Sequence, residues 1–276
     1  MKFVLRWKLP DIRYWKNAIA ENGRRSFPGG IDMHRFYADP VVSGSGKVSL
    51  SREDAFHAAK VLRLHSGDSV EIVISGVRHA GEVCEISDTN VTISVQEELP
   101  STETRVRFVL LQGIPKGDKM ELIVQKATEL GVSDVVPVMM ARSVVKIDPK
   151  DRIRKQERWQ KIAREAGKQS GRCIIPEIHP PVTVRETEEL IRKLDAVAVP
   201  WEAGRDFGPL AFMKAHPDIG SLGIFIGPEG GIEPEEISLL TSFSCDIITL
   251  GPRIMRTETA GLAAVSAFSA LYGEME

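Results

Sequence analysis

Cysteine is scarce in this chain of 276 residues: Cys84, Cys173 and Cys245 are the only three, and they lie far apart. No CxxC or Cys/His spacing joins them, which argues against a disulfide framework or a zinc module and suits a reducing, cytoplasmic compartment. No metal is expected. Charge of one sign is lacking as well. The 36 Lys and Arg stand against 38 Asp and Glu, so total charge makes no case for a polyanionic partner. No uninterrupted apolar run approaches membrane-spanning length, and the basic start Met1–Pro10 has neither an apolar core nor a small-residue cleavage site, so no membrane partner and no secretory signal are expected. A phosphate loop is missing too. Ser43-Gly44-Ser45-Gly46-Lys47 offers Gly-Lys, but no Ser or Thr follows the lysine and no glycine stands five positions before Gly46. A nucleotide hydrolase is disfavoured on that ground.

What is present concentrates near the C-terminus. The strand-like run Cys245–Leu250 stops at Gly251-Pro252, and Arg253 and Arg256 follow, separated by Ile254 and Met255. Thr257-Glu258-Thr259 then reads as a helix start, because a threonine hydroxyl can accept an unpaired amide there. A second bend resembles it. Ser221–Ile226 reads as a buried strand, broken by Gly227-Pro228-Glu229-Gly230-Gly231, after which Ile232-Glu233-Pro234-Glu235-Glu236 opens another helix. Either bend alone is an ordinary strand-to-helix turn. Two in succession point to a ligand site at a sheet edge.

GPEGG followed by LGPRIMRTETA resembles the C-terminal signature of the SPOUT-type RNA methyltransferases. The resemblance is closest to the bacterial enzymes that methylate N3 of a uridine in 16S ribosomal RNA, and it runs from about Met33 to the C-terminus. It implies an α/β fold with a parallel sheet tied in a trefoil knot, a small N-terminal PUA-like β-barrel that binds RNA, and a homodimer. It implies S-adenosylmethionine as cofactor, held by Ile226, Gly227, Pro228, Glu229 and Gly230 of the first bend. From the second bend it implies Leu250, Gly251, Arg253, Ile254, Met255, Thr257, Thr259 and Ala260. Glycines there would let the ligand approach the backbone. Gln169-Ser170-Gly171-Arg172 also fits the family, which places Arg172 near the active site.

The expected divisions are an extension over 1–32, a barrel over 33–100 and the knotted domain over 101–276. Met33 reads as a possible true start, because the codons of Gly29-Gly30 suit a ribosome-binding sequence; the alternative is a basic arm with seven Lys and Arg. In the barrel, strands are expected at Arg35–Ala38, Val48–Leu50, Ser69–Ile74, Gly81–Ile86 and Asn90–Gln96. Ser51 caps a helix running to Leu62, with Ala55, Ala58, Ala59 and Leu62 on one side. Arg35, His57 and Arg63 are the candidate RNA contacts here. The family usually carries paired histidines where this chain has Phe56-His57.

From Arg105 strands and helices alternate, which predicts a parallel sheet. Its strands are expected at Val106–Ile114, Val135–Met140, Cys173–Ile178, Asp195–Pro200, Ser221–Ile226 and Cys245–Leu250. Lys116 and Lys119 stand where a phosphate could be met. Residues 146–172 hold ten basic and four acidic residues, a local +6 in a chain of net −2. At helical spacing Arg154, Arg158, Lys161 and Lys168 form one stripe, with Ile153, Ile162 and Ala166 on another side, which suits an RNA-facing surface.

Methylating uracil N3 requires that nitrogen unpaired and deprotonated. An arginine near O2 or O4 would stabilise the anion; Arg256 is the first candidate and Arg172 the second, with Glu258 as general base. The rival reading is a non-catalytic RNA-binding ribosome-assembly factor.

Overall fold

The computed structural model describes residues 34–38 and 46–275; the readings placed on 1–33 and on Ser43–Ser45 lie outside them. The chain divides into two compact units. One holds Ala80–Glu97 with the described residues up to Ile72, and the other holds Val73–His79 and the chain from Glu98.

Strands β1 (Arg35–Ala38) and β2 (Lys47–Ser49) precede helix α1 (Arg52–Phe56), and β3 (Ser69–Ile74), β4 (Val77–Ile86) and β5 (Val91–Glu98) follow. They form a five-stranded sheet in the order β1-β3-β4-β5-β2. Phe36, Val48, Val83, Val91 and Ile93 are buried at alternate positions of their strands, whereas β3 is buried continuously from Val70 to Val73. Ser51 caps α1, its Oγ accepting the Asp54 amide at 3.1 Å. The helix does not run on regularly to Leu62. It widens into a π turn over His57–Val61, whose extra residue per turn breaks the expected stripe: Ala55 and Ala58 stay buried, whereas Ala59 and Leu62 are only half-buried. Arg35 has a carboxylate neighbour in the same sheet. Its Nε and Nη2 both lie 2.7 Å from Glu71 Oε2, and that carboxylate, buried in β3, needs the guanidinium as its countercharge. Arg35 is therefore ion-paired across the sheet to Glu71.

The second unit runs β6 (Arg107–Gly113), α2 (Lys119–Glu129), β7 (Asp134–Met139), α3 (Arg152–Ser170), β8 (Glu177–Ile178), β9 (Val182–Thr183), α4 (Glu188–Ile191), β10 (Ala196–Pro200), α5 (Pro209–Ala215), β11 (Ser221–Ile226), α6 (Pro234–Ser242), β12 (Asp246–Ile248) and α7 (Thr257–Leu271). The sheet order is β12-β10-β11-β6-β7-β8, with β9 also on β7, and its strand pairs are parallel. Alternate residues of β6 feed two cores. Phe108 and Leu110 meet α2, α3, α5 and α7 through Ile123, Trp159, Phe212 and Phe268. Val109 and Leu111 share the other core with Ile191, Ile237 and Leu240 of α4 and α6. Helices thus cover both faces of a parallel sheet, the arrangement that βαβ connections impose.

In α3 the buried residues are Trp159, Ala163, Ala166 and Gly167. Ile153, assigned from the sequence to the apolar side with Ile162 and Ala166, is 54% exposed. It precedes Trp159 by six residues, about 240° around the helix from the buried face.

Candidate functional site

Both bends leave the C-terminal edge of the sheet and meet there. Thr257 does not cap α7; Arg256 occupies the N-cap, without a side-chain cap bond. The buried Thr257 hydroxyl instead donates to Gly227 O at 2.6 Å. It accepts a hydrogen bond from Gln112 Nε2 at 2.8 Å, and that same nitrogen donates to Gly113 O at 3.0 Å. A carbonyl, a hydroxyl and an amide thus join the ends of β6 and β11 to the first turn of α7. Nothing in the local sequence marks Gln112, which is completely buried at the end of a strand of apolar residues.

The glycines in the first bend serve chain packing more than ligand approach. A Cβ on Gly227 would stand 2.7 Å from Ile232 Cγ1, and one on Gly230 would stand 2.8 Å from Arg142 Cβ. Arg142, also missed from the sequence, lies after β7 and donates to Gly230 O at 3.0 Å. Gly251 is different: its φ is +96° and the space where a Cβ would be is open. Beside it Ile254 is 91% exposed. Met255, Leu250 and Ala260 are half-buried, Thr259 is exposed, and Ile226 and Pro228 are buried under the ledge.

Charge is arranged in two groups. Lys119 Nζ lies 3.0 Å from Glu229 Oε1 and 3.2 Å from Glu258 Oε2, and the Lys116 amide donates to the Glu229 carboxylate at 3.2 Å. Desolvation works against the Glu229 charge, yet its own amide, Lys119 and the Lys116 amide hold its pKa below the usual glutamate value. Lys119, expected to meet a phosphate, thus hydrogen-bonds Glu229 and ion-pairs with Glu258, expected as a general base, whose buried Oε2 has no hydrogen-bond partner among the described residues. Lys116 remains exposed. The second group is Arg253 and Arg256, both exposed, whose guanidinium groups have no ion-pair or hydrogen-bond partner among the described residues.

Arg172 is not brought to these bends. Its Nη1 donates to Thr128 O and Val132 O, each at 2.9 Å, and its Nη2 lies 2.6 Å from Glu103 Oε2. These partners sit at the N-terminal edge of the sheet, across the seven residues of β6, about 20 Å at the rise of a parallel strand. The physical reason is that Glu103 and two inward carbonyls need a donor set that only a guanidinium supplies. The α3 stripe is exposed as expected at Arg154, Arg158, Lys161 and Lys168. Part of its charge is answered within the chain: Arg154 lies 3.1 Å from Asp151, and Arg158 pairs with Glu121. In the first unit His57 and Arg63 are exposed.

Two surface hollows lie elsewhere. One of about 430 Å³ is lined by Glu103, Arg105, Arg107, Asp134, Ile174 and Glu177 at the opposite sheet edge, and one of about 530 Å³ by Arg52, Phe56 and Asp88 in the first unit. Asp134, Glu177 and His179 are close enough to share a cation. Arg107, 2.9 Å from Asp134 Oδ2, supplies that positive charge.

Thr257→Val keeps the shape and removes the hydroxyl. Gly227 O then loses its donor, and unfolding free energy should fall by about 1–3 kcal/mol, with increased amide exchange over 227–231. A denaturant titration that left stability unchanged would show the bridge to be incidental.

A family model, the RNA methyltransferase domain, matches residues 102–269. Ribosomal RNA small subunit methyltransferase E of Bacillus subtilis is 36% identical over 246 residues, which are 86% of this chain and 96% of that one. The protein of the same name from Synechocystis is 30% identical over 263 residues, 92% and 82% of the two chains. The crystal structure of a Ribosomal RNA small subunit methyltransferase E from Neisseria gonorrhoeae bound to S-adenosyl methionine is similar with a TM-score of 0.72 and 27% identity, covering 87% of this chain and 98% of that one.

Proposed function

The chain belongs to the RNA methyltransferase domain family, and from that premise we propose that it methylates N3 of a specific uridine in 16S ribosomal RNA with S-adenosylmethionine as donor. The observation that carries the reading is the 2.6 Å bond from Thr257 Oγ1 to Gly227 O, which joins the two bends beside Arg253 and Arg256, neither paired among the described residues. The residues fit the cofactor: Ile254 presents an open apolar surface, and Gly251 leaves its backbone accessible. In this reading Ile226, Leu250, Ile254 and Met255 form apolar walls for an adenine, and backbone groups of Gly227–Gly230, Gly251, Arg253, Thr257, Thr259 and Ala260 bind its polar edges. When bound, S-adenosylmethionine supplies an electrophilic methyl group on a sulfonium.

Uracil N3 bears a proton on the pairing edge, so the base must leave its pair and lose that proton to solvent before the N3 lone pair can attack. Arg256 stabilises the anion through O2 or O4, an electrostatic contribution that needs an uncommitted guanidinium. His57, Arg63, Lys116, Arg154, Arg158, Lys161 and Lys168 contact RNA phosphates, which position the substrate without reading its sequence. The finer architecture belongs to the same reading: a PUA-like barrel over 33–100, a trefoil-knotted domain over 101–276, a homodimer and a cytoplasmic site of action. The insertion of β10 between β12 and β11, with α7 returning onto the sheet, supports the knotted path.

The experiment is tritiated methyl transfer to small subunits lacking the modification, followed by nucleoside analysis. Label in N3-methyluridine is the expected result. Label in another base would move the specificity, and no incorporation would favour the non-catalytic assembly factor.

A further inference from the structure

We infer that Lys119 is a positioning residue for methyl transfer, locking the Gly227–Gly231 bend to the first turn of α7 through Glu229 and Glu258. The inference rests on the methyltransferase reading of this edge. A lysine waiting for a phosphate would project into water. This one opens α2 with its ammonium 3.0 Å from one carboxylate and 3.2 Å from the other, and its side chain is 28% exposed, against 24% for Glu229 and 15% for Glu258. Partial shielding strengthens such contacts relative to surface pairs. An ammonium is a compact charge with three rotatable donors: here it donates to Glu229 Oε1 and attracts Glu258 Oε2, which has no hydrogen-bond partner among the described residues, through charge at 3.2 Å. The Lys116 amide on the same Glu229 carboxylate, at 3.2 Å, fixes the β6 loop to the clamp as well.

The consequence reaches Arg256 through the chain. Arg256 stands two residues before Glu258, so the clamp sets the position of the turn that presents its guanidinium. Thr257 holds the same turn from the other side, through Gly227 O. The two bends are therefore fastened twice, once by a buried neutral bridge and once by a half-buried ionic one.

The test compares Lys119→Met and Lys119→Arg with the wild-type protein, measuring S-adenosylmethionine binding by calorimetry, RNA binding by fluorescence anisotropy, and kcat and KM for both substrates. Lys119→Met should raise Kd and KM for the cofactor tenfold or more and leave RNA affinity within twofold. Lys119→Arg, with donors for both carboxylates, should recover most of the loss. If Lys119→Met does not fold, the Glu229→Gln/Glu258→Gln double variant makes the same demand: weaker cofactor binding, with RNA binding kept. Weakened RNA binding with unchanged cofactor affinity would overturn the inference and return Lys119 to a phosphate contact. Equal losses in Met and Arg variants would also overturn it. Absence of cofactor binding by the wild-type protein would instead sink the reading of the site itself.

Discussion

Arg256→Ala is expected to lower the rate of methyl transfer by about 10²–10³-fold, the scale of losing one preorganised donor to a developing anion, while the thermal midpoint stays unchanged. The expectation follows from what the side chain does not do in the fold. Its guanidinium is exposed and has no partner among the described residues, and it makes no capping bond at the start of α7. Removing it leaves no buried group unsatisfied, and Thr257 continues to hold the turn. Cofactor affinity by calorimetry should therefore change little. Arg256→Lys keeps the charge but loses the planar fork, and should fall between the two. Wild-type turnover in Arg256→Ala would remove the residue from the chemistry.

Arg172→Ala should do the reverse, costing about 3–5 kcal/mol of stability, as expected when a buried pair loses one partner. Arg172 is 4% exposed. Its Nη2 reaches Glu103 Oε2 at 2.6 Å, and its Nη1 reaches Thr128 O and Val132 O. Removal leaves two carbonyls without this donor and leaves the Glu103 carboxylate with backbone amides alone, at Cys173 and Ile174. For a chain of this size the midpoint should fall by roughly 6–20 °C, while the surviving folded protein binds the cofactor normally. A variant as stable as wild type yet inactive would restore Arg172 to the active site, by a route not contained within one chain.

These two arginines show what the sequence made legible. Both follow recognisable runs, and only the fold separates their roles, because the Arg172 partner Glu103 lies 69 residues away. The Arg35 pair was hidden for the same reason, its countercharge being 36 residues distant on β3. Local signals did better. The run Ser221–Ile226 became β11 without change, and Pro234 opens α6. The run Cys173–Ile178 yielded only Glu177–Ile178 as strand, since the preceding residues answer Glu103 with their amides. Gln112 and Arg142 were silent: one looks like a strand residue and the other like a loop residue until the Gly227–Gly231 bend folds against both.

The most direct measurement is hydrogen–deuterium exchange with and without S-adenosylmethionine. A cofactor seated where the bends meet should slow exchange in residues 227–231 and 250–257 together, and Thr257→Val should weaken protection of both. Protection confined to one bend, or found only at the opposite edge of the sheet around Arg107 and Asp134, would contradict the account.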